Sequence, residues 1–149
     1  RTDSHEPILR SLIQDDLARL VRMDEAITGR SRATFYEGRL DRALHQSHIQ
    51  ISLGAELDGC LVGAVLGSLQ YGEFGVVEPV AVLDTILVDP EFGGQGVGAA
   101  LFDQLWRNLR GLRVERVRTE VSWSEQPLMG FLATRGFAPV PRLVLEHTL

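Results

Sequence analysis

The chain contains no lysine: all fifteen basic residues are arginine, and Asn108 is the only asparagine. A biased source genome explains both more simply than function does. A single cysteine, Cys60, excludes an internal disulfide framework and any multi-cysteine metal site. Its place beside an apolar run reads as a buried structural thiol. The four histidines, His5, His45, His48 and His147, have no metal-ligand spacing, so no metal is expected. No apolar stretch approaches the roughly 20 residues that span a bilayer, and no basic-then-apolar segment opens the chain. The expectation is a cytoplasmic protein with no membrane partner. Basic residues are outnumbered, and the net charge of −5 argues against broad nucleic-acid binding. The same charge modestly suits a cationic substrate.

A length of 149 residues fits one domain spanning 1–149, with enough buried surface for a core without staples. The most informative stretch runs from Leu83 to Leu109. Ile86, Leu87 and Val88 form an apolar run that stops at Asp89-Pro90, and Gly93, Gly94, Gly96 and Gly98 follow within six positions. Val97, Leu101, Leu105 and Leu109 then recur every four residues, as on one helical face. This is strand, glycine loop, helix. Glycine permits positive φ and close ligand approach, and the first helical turn directs unpaired N–H groups into the loop. A phosphate or pyrophosphate suits such a place.

Around this centre the pattern gives a strand over Ile8–Ile13, then a helix opened by Asp15-Asp16 with Leu17, Leu20, Val21 and Ile27 on one face. Ser31 is the expected cap of a second helix carrying Phe35, Leu40 and Leu44, which ends between His45 and His48. Strands follow from Ile49 and over Leu61–Leu69, joined by the Asp58-Gly59 hairpin turn. Tyr71–Pro79 is a glycine-interrupted connection into the strand Val80–Val88. Val114–Val121 makes another strand, Ser124–Arg135 a last helix stopped by Gly136, and Leu143–His147 a final strand. The fold class is α/β, with a mostly antiparallel front half and a parallel crossover near the glycine loop.

This order of elements, with VDPEFGGQGVGAALFDQL, resembles the GNAT superfamily of N-acetyltransferases over Ile8 to His147. Gly96 and Gly98 fill the two small positions of that family's pyrophosphate signature, while Gly93 stands where it has Arg or Gln. FLATRGF is similar to the ending of the family's fourth helix, but Leu132 occupies the place of its usual tyrosine acid. Glu125 lies near that of its asparagine. The resemblance implies a mixed sheet of about six or seven strands flanked by about four helices. It also implies transfer of an acetyl group from acetyl-coenzyme A to a primary amine by direct attack. The pantetheine arm would then pair with the backbone of Ile86, Leu87 and Val88, in a split between the strands ending at Val88 and Val121. Gly93, Gly94, Gln95, Gly96, Val97, Gly98 and Ala99 would cradle the pyrophosphate, and an N–H near Val88 would stabilise the oxyanion. Alignment of amine and thioester would then supply much of the rate.

Asp84 is the first candidate for the base that deprotonates the amine, and Glu78 the second. Tyr36 is one substitute for the missing acid, with Tyr71 and Ser124 as others. Asp24, Glu25, Arg30, Arg32, Phe35 and Glu73 are the expected lining of the acceptor side, with Trp123 as a wall. The expected partner is a small-molecule or peptide amine, with a homodimer possible. Two other readings remain open. Gly94, Gly96 and Ala99 fit G-x-G-x-x-A with Glu115 about 20 residues on, as in dinucleotide-binding folds. That motif should follow a first strand, and here some eighty residues precede it. Alternatively the chain binds an acyl-coenzyme A as a catalytically weak sensor or interaction module.

Overall fold

The computed structural model describes residues 6–46, 49–75 and 77–149. His5, His48 and Val76 fall outside the described residues. In order, the elements are β1 (Ile8–Arg10), α1 (Leu17–Thr28), α2 (Ala33–His45), β2 (Gln50–Leu57), β3 (Cys60–Gln70), β4 (Val80–Val88), α3 (Val97–Gly111), β5 (Arg116–Thr119) and α4 (Gln126–Thr134). The strands form one sheet in the order β1-β2-β3-β4-β5. The first three pairings are antiparallel and β4–β5 is parallel. A parallel pair needs a crossover, and the glycine loop with α3 supplies it.

The mixed α/β class, the mostly antiparallel sheet and the four helices agree with the reading of the sequence. Five strands are present among the described residues, against the six or seven expected. Leu143–His147 is not a strand; it runs free of the sheet with Leu143 and Leu145 exposed. The strand expected over Val114–Val121 is reduced to its middle four residues. Arg32, not Ser31, stands at the start of α2, and no side chain caps it. Ile27 is exposed, as is the Cys60 thiol, which sits at the hairpin turn and not in the core.

Two apolar layers sandwich the sheet. Leu20, Met23, Tyr36, Leu40 and Ala43 from α1 and α2 pack on Leu61, Ala64, Leu66 and Leu87. On the other face Val97, Leu101, Phe102, Leu105 and Leu109 from α3 pack on Leu53, Val62, Val65, Ala81 and Leu83. Gly63 lets α3 come close: a Cβ there would lie 2.8 Å from the Val97 side chain and 3.1 Å from the Leu87 carbonyl. The Asp58-Gly59 turn has positive φ at both central residues, the two-residue geometry that suits strand twist.

One irregularity places the site. Leu66 pairs with Thr85 and Gly67 with Leu83, so Asp84 has no partner across the β3–β4 ladder. This bulge shifts the alternation of β4. Ala81 and Leu83 face α3; beyond the extra residue Ile86 and Val88 take that face, while Leu87 turns towards α1 and α2.

Candidate functional site

The parallel ladder between β4 and β5 runs from Val80↔Arg116 to Leu83↔Thr119 and stops there. At the fork the Thr119 hydroxyl donates to the Leu83 carbonyl at 2.9 Å. Ile86, Leu87 and Val88 keep β3 on one side and have no strand on the other. A chain-like ligand can therefore enter beside them as an extra strand.

The end of β4 is tied down before the loop begins. Asp89 is buried, its amide donates to the Val62 carbonyl at 2.8 Å, and its Oδ1 accepts from the Glu91 amide at 2.9 Å. Its other oxygen pairs with the guanidinium of Arg19, whose Nε donates to the Leu61 carbonyl at 2.8 Å. Gly94 and Gly96 follow at φ 76° and 78°, with no atom within 4 Å of where a Cβ would stand. Gly96 immediately precedes α3, no side chain caps that helix, and its first backbone bond is Ala100 N–H to the Gly96 carbonyl. The N–H groups of Val97, Gly98 and Ala99 have no earlier helical carbonyl to meet, and the dipole makes this end positive. Gly98 serves packing: a Cβ there would lie 2.9 Å from the Phe131 ring of α4. A hollow of about 410 Å³ adjoins the loop, lined in part by Gln95, Gly96, Ala99 and Arg107.

Asp84 projects from the bulge with its side chain 45% exposed. The Nε of Arg39, a residue of α2 that is 2% exposed, lies 3.0 Å from both carboxylate oxygens. The rest of that guanidinium donates to Gln50 Oε1 and to the Gly67 carbonyl, each at 2.8 Å. Thr85 Oγ1 adds a hydrogen bond to Asp84 at 2.8 Å. Arg39 went unnoticed in the sequence, although a signal was present. It shares the apolar stripe of Tyr36, Leu40 and Ala43, and an arginine on such a stripe must find buried acceptors.

Other sequence candidates are distributed unevenly. Phe35, 41% exposed, lies one helical turn from Arg39 on α2. Arg32 stacks over the Phe35 ring at 5.5 Å. Arg30, in the connection between α1 and α2, and Glu25, in the last turn of α1, are exposed. Asp24, expected on an open rim, is buried instead. It accepts from Arg32 at 2.8 and 2.6 Å and from the Tyr36 hydroxyl at 3.0 Å. The Arg32 hydrogen bonds hold the Asp24 carboxyl below the usual carboxylate range. Burial, then the bond to Asp24, pushes the Tyr36 phenol well above its ordinary value. Tyr36 is thus part of the closed α1–α2 contact, remote in character from a proton donor at an open cleft. Glu78 is exposed in the connection before β4, up to about 20 Å of extended chain from Asp84. Glu73 lies earlier in that connection. Trp123, 89% exposed, follows β5, and the parallel pairing puts it towards the glycine-loop end of the sheet, away from Glu73. Leu132 is buried in the α3-side core. Among the described residues no cluster of His, Cys, Asp or Glu is suited to a metal, and no helix is long and apolar enough to cross a membrane.

Comparison with known proteins bears on the family and the fold. A family model described as the acetyltransferase (GNAT) family matches residues 16–137. No curated protein matches the sequence. Solved structures of similar fold include a transcriptional regulator from Bacillus halodurans C-125. It has 14% identity and a TM-score of 0.82, with 95% of this chain and 99% of that one covered. The aminoglycoside N-acetyltransferase AAC(6')-Iy in complex with CoA gives 17% identity and a TM-score of 0.81, covering 99% of both chains. The aminoglycoside acetyltransferase meta-AAC0020, from an uncultured soil metagenomic sample and in complex with sisomicin, gives 18% and 0.75, covering 96% of both. At these identities the structures establish the shared fold.

Proposed function

The chain belongs to the GNAT acetyltransferase family, and from that premise we propose that it transfers an acetyl group from acetyl-coenzyme A to a primary amine by direct attack. The observation that carries the reading is the fork itself. A parallel pair opens after Leu83, at a bulge bearing Asp84, and leads to a glycine loop whose amides face no side chain of their own. When bound, the donor supplies an acetyl group activated as a thioester.

The loop fits a diphosphate. Gly94 and Gly96 leave open the space that side chains would fill, and the amides of Val97, Gly98 and Ala99 point out of the positive end of α3. Ile86, Leu87 and Val88 offer a free strand edge to an amide-bearing arm. Asp84 takes the proton from the acceptor ammonium, leaving the neutral amine to attack, and Arg39 and Thr85 hold its carboxylate at the bulge. Phe35 and Arg30 border the side from which the acceptor arrives. Glu25 adds an acidic group to that candidate lining, in support of a small-molecule or peptide amine, while Trp123 stands apart at the glycine-loop end of the sheet. With buried Leu132 at the place where the family resemblance implies a tyrosine acid, the departing thiolate takes its proton from solvent.

The test is release of free thiol over a panel of aminoglycosides, polyamines, amino acids and peptides, with binding measured in parallel by calorimetry. Amine-dependent release is expected. Asp84→Asn should lower turnover at least tenfold while leaving donor affinity within about twofold, and equal turnover would remove Asp84 as the base. The Leu132 substitution also supports a second reading, a binding module that does not turn over. Tight binding without thiol release for any acceptor would favour it.

A further inference from the structure

An ion pair that takes no part in the proposed transfer step lies at the root of the glycine loop. Arg19, on α1, donates from Nε to the Leu61 carbonyl at 2.8 Å, and its Nη2 pairs with Asp89 Oδ2 across 70 residues of sequence. The side chain of Asp89 is 6% exposed and that of Arg19 22%. A carboxylate this deeply buried requires a partner. The pair itself adds little stability, because desolvating two ions offsets most of their attraction. What it supplies is position. Arg19 holds one carboxylate oxygen, and the Glu91 amide holds the other at 2.9 Å.

That position sets the course of the loop. The Asp89 amide donates to the Val62 carbonyl at 2.8 Å, and the Asp89 carbonyl accepts from the Phe92 amide at 2.9 Å. The Gly93 amide then closes on the Pro90 carbonyl at 3.3 Å, so Pro90–Phe92 is a tight turn built on Asp89. Beyond it, among the described residues, the amides of Gly94, Gln95 and Gly96 donate to no backbone carbonyl. Gly94 and Gly96 both have positive φ, and glycine contributes no stiffness of its own. The next fixed point is Val97, 1% exposed in the α3-side core. The glycine stretch therefore hangs between two anchors. Apolar packing holds Val97, and Arg19 holds Asp89.

We infer that Arg19 is a positioning residue for donor binding, its pairing with Asp89 keeping the Gly94–Gly96 stretch in the open form that receives a diphosphate. The inference rests on the reading of this loop as the donor's diphosphate site. Amides already in place bind an anion without the cost of ordering them, whereas a slack loop must be ordered by its ligand. The effect falls on donor affinity and not on the chemical step, because the Asp84 carboxylate takes its bonds from Arg39 and Thr85.

Calorimetric titration with coenzyme A, and urea unfolding of the same samples, test this on Arg19→Met, Arg19→Lys and the double variant Arg19→Met/Asp89→Asn. Arg19→Met leaves a buried charge unpaired, so it should lose stability and raise the Kd for coenzyme A at least about tenfold. Arg19→Lys keeps a cation opposite Asp89 and should recover part of both. The double variant separates position from charge. It buries no unpaired ion and keeps an oxygen for the Glu91 amide, so its stability should return towards that of the unaltered chain. Its Kd should stay raised, because the tie to α1 is gone. In both Met variants KM for acetyl-coenzyme A should rise, with kcat within about twofold.

A Kd within about twofold of the unaltered chain in Arg19→Met overturns the inference. So does a double variant whose affinity returns with its stability, since Arg19 would then serve only to neutralise a buried charge. Should Arg19→Met fold poorly, the double variant carries the same test. An unaltered chain that binds no coenzyme A is a different failure: it refutes the reading of the loop itself.

Discussion

Replacing Arg39 by methionine should destabilise the protein by about 3 kcal/mol, and the structure shows where that figure comes from. The side chain is almost wholly buried, and its guanidinium serves three acceptors on separate elements: Asp84, Gln50 and the Gly67 carbonyl. A buried acceptor left without its donor costs roughly 1–3 kcal/mol, which applies to Gly67 and to Gln50 in part. The Asp84 pairing is worth less, about 1 kcal/mol or under, because that carboxylate is nearly half exposed to water. Methionine recovers some of the loss by filling the space with apolar atoms. For a domain of this size about 3 kcal/mol corresponds to a fall in Tm of roughly 6–12 °C. Urea unfolding followed by tryptophan fluorescence and far-UV dichroism would measure it. Arg39→Lys, which keeps the charge but fewer of the contacts, should fall between the two. Activity adds a separate axis. If Asp84 is the base as proposed, Arg39→Met should lower kcat in the native background and change it little in an Asp84→Asn background, since Arg39 contacts that carboxylate directly. A stability loss below about 1 kcal/mol would refute the buried-acceptor reasoning, and an equal kcat loss in both backgrounds would refute the link to Asp84.

Gly96→Glu should abolish coenzyme A binding in calorimetry with the fold retained, because it puts an anion where the α3 amides converge; unchanged affinity would count against the loop as the diphosphate site. Gly98→Ala should cost about 1–3 kcal/mol through collision with the Phe131 ring. Much of that should return in a Gly98→Ala/Phe131→Leu double variant measured by denaturant unfolding. Asp24 has a folded pKa below its unfolded value of 3.8, through the Arg32 bonds. Its contribution is therefore present above that value and is lost as pH falls through the folded one. Asp24→Asn should weaken the protein near neutral pH and flatten the stability curve below about pH 4, read from midpoints in a pH series.

The features readable from sequence are those set by neighbours along the chain. The glycine loop between Val88 and Val97, the Asp58-Gly59 turn and the apolar spacing of α3 all depend on local dihedral freedom or on one helical period. The family and the mixed sheet followed from their order. Local pattern also misled where tertiary burial had the last word. Asp24, two positions from Arg22 in an apparently open helix end, proved to be sealed under Arg32 and Tyr36. Leu143–His147 has the alternation of a strand, but alternation cannot supply the partner that a strand needs.

The composition and local spacing by themselves determined the element order, the position of the glycine loop before α3 and the absence of lysine or multi-cysteine chemistry. Tertiary structure alone decided the bulge at Asp84, the clasp of Arg39 upon it from 45 residues away, and the place of β5 at the end of the sheet among the described residues. The physical reason is that burial and pairing are properties of what lies opposite a residue. What lies opposite is fixed by packing across the sheet, which no window along the chain contains.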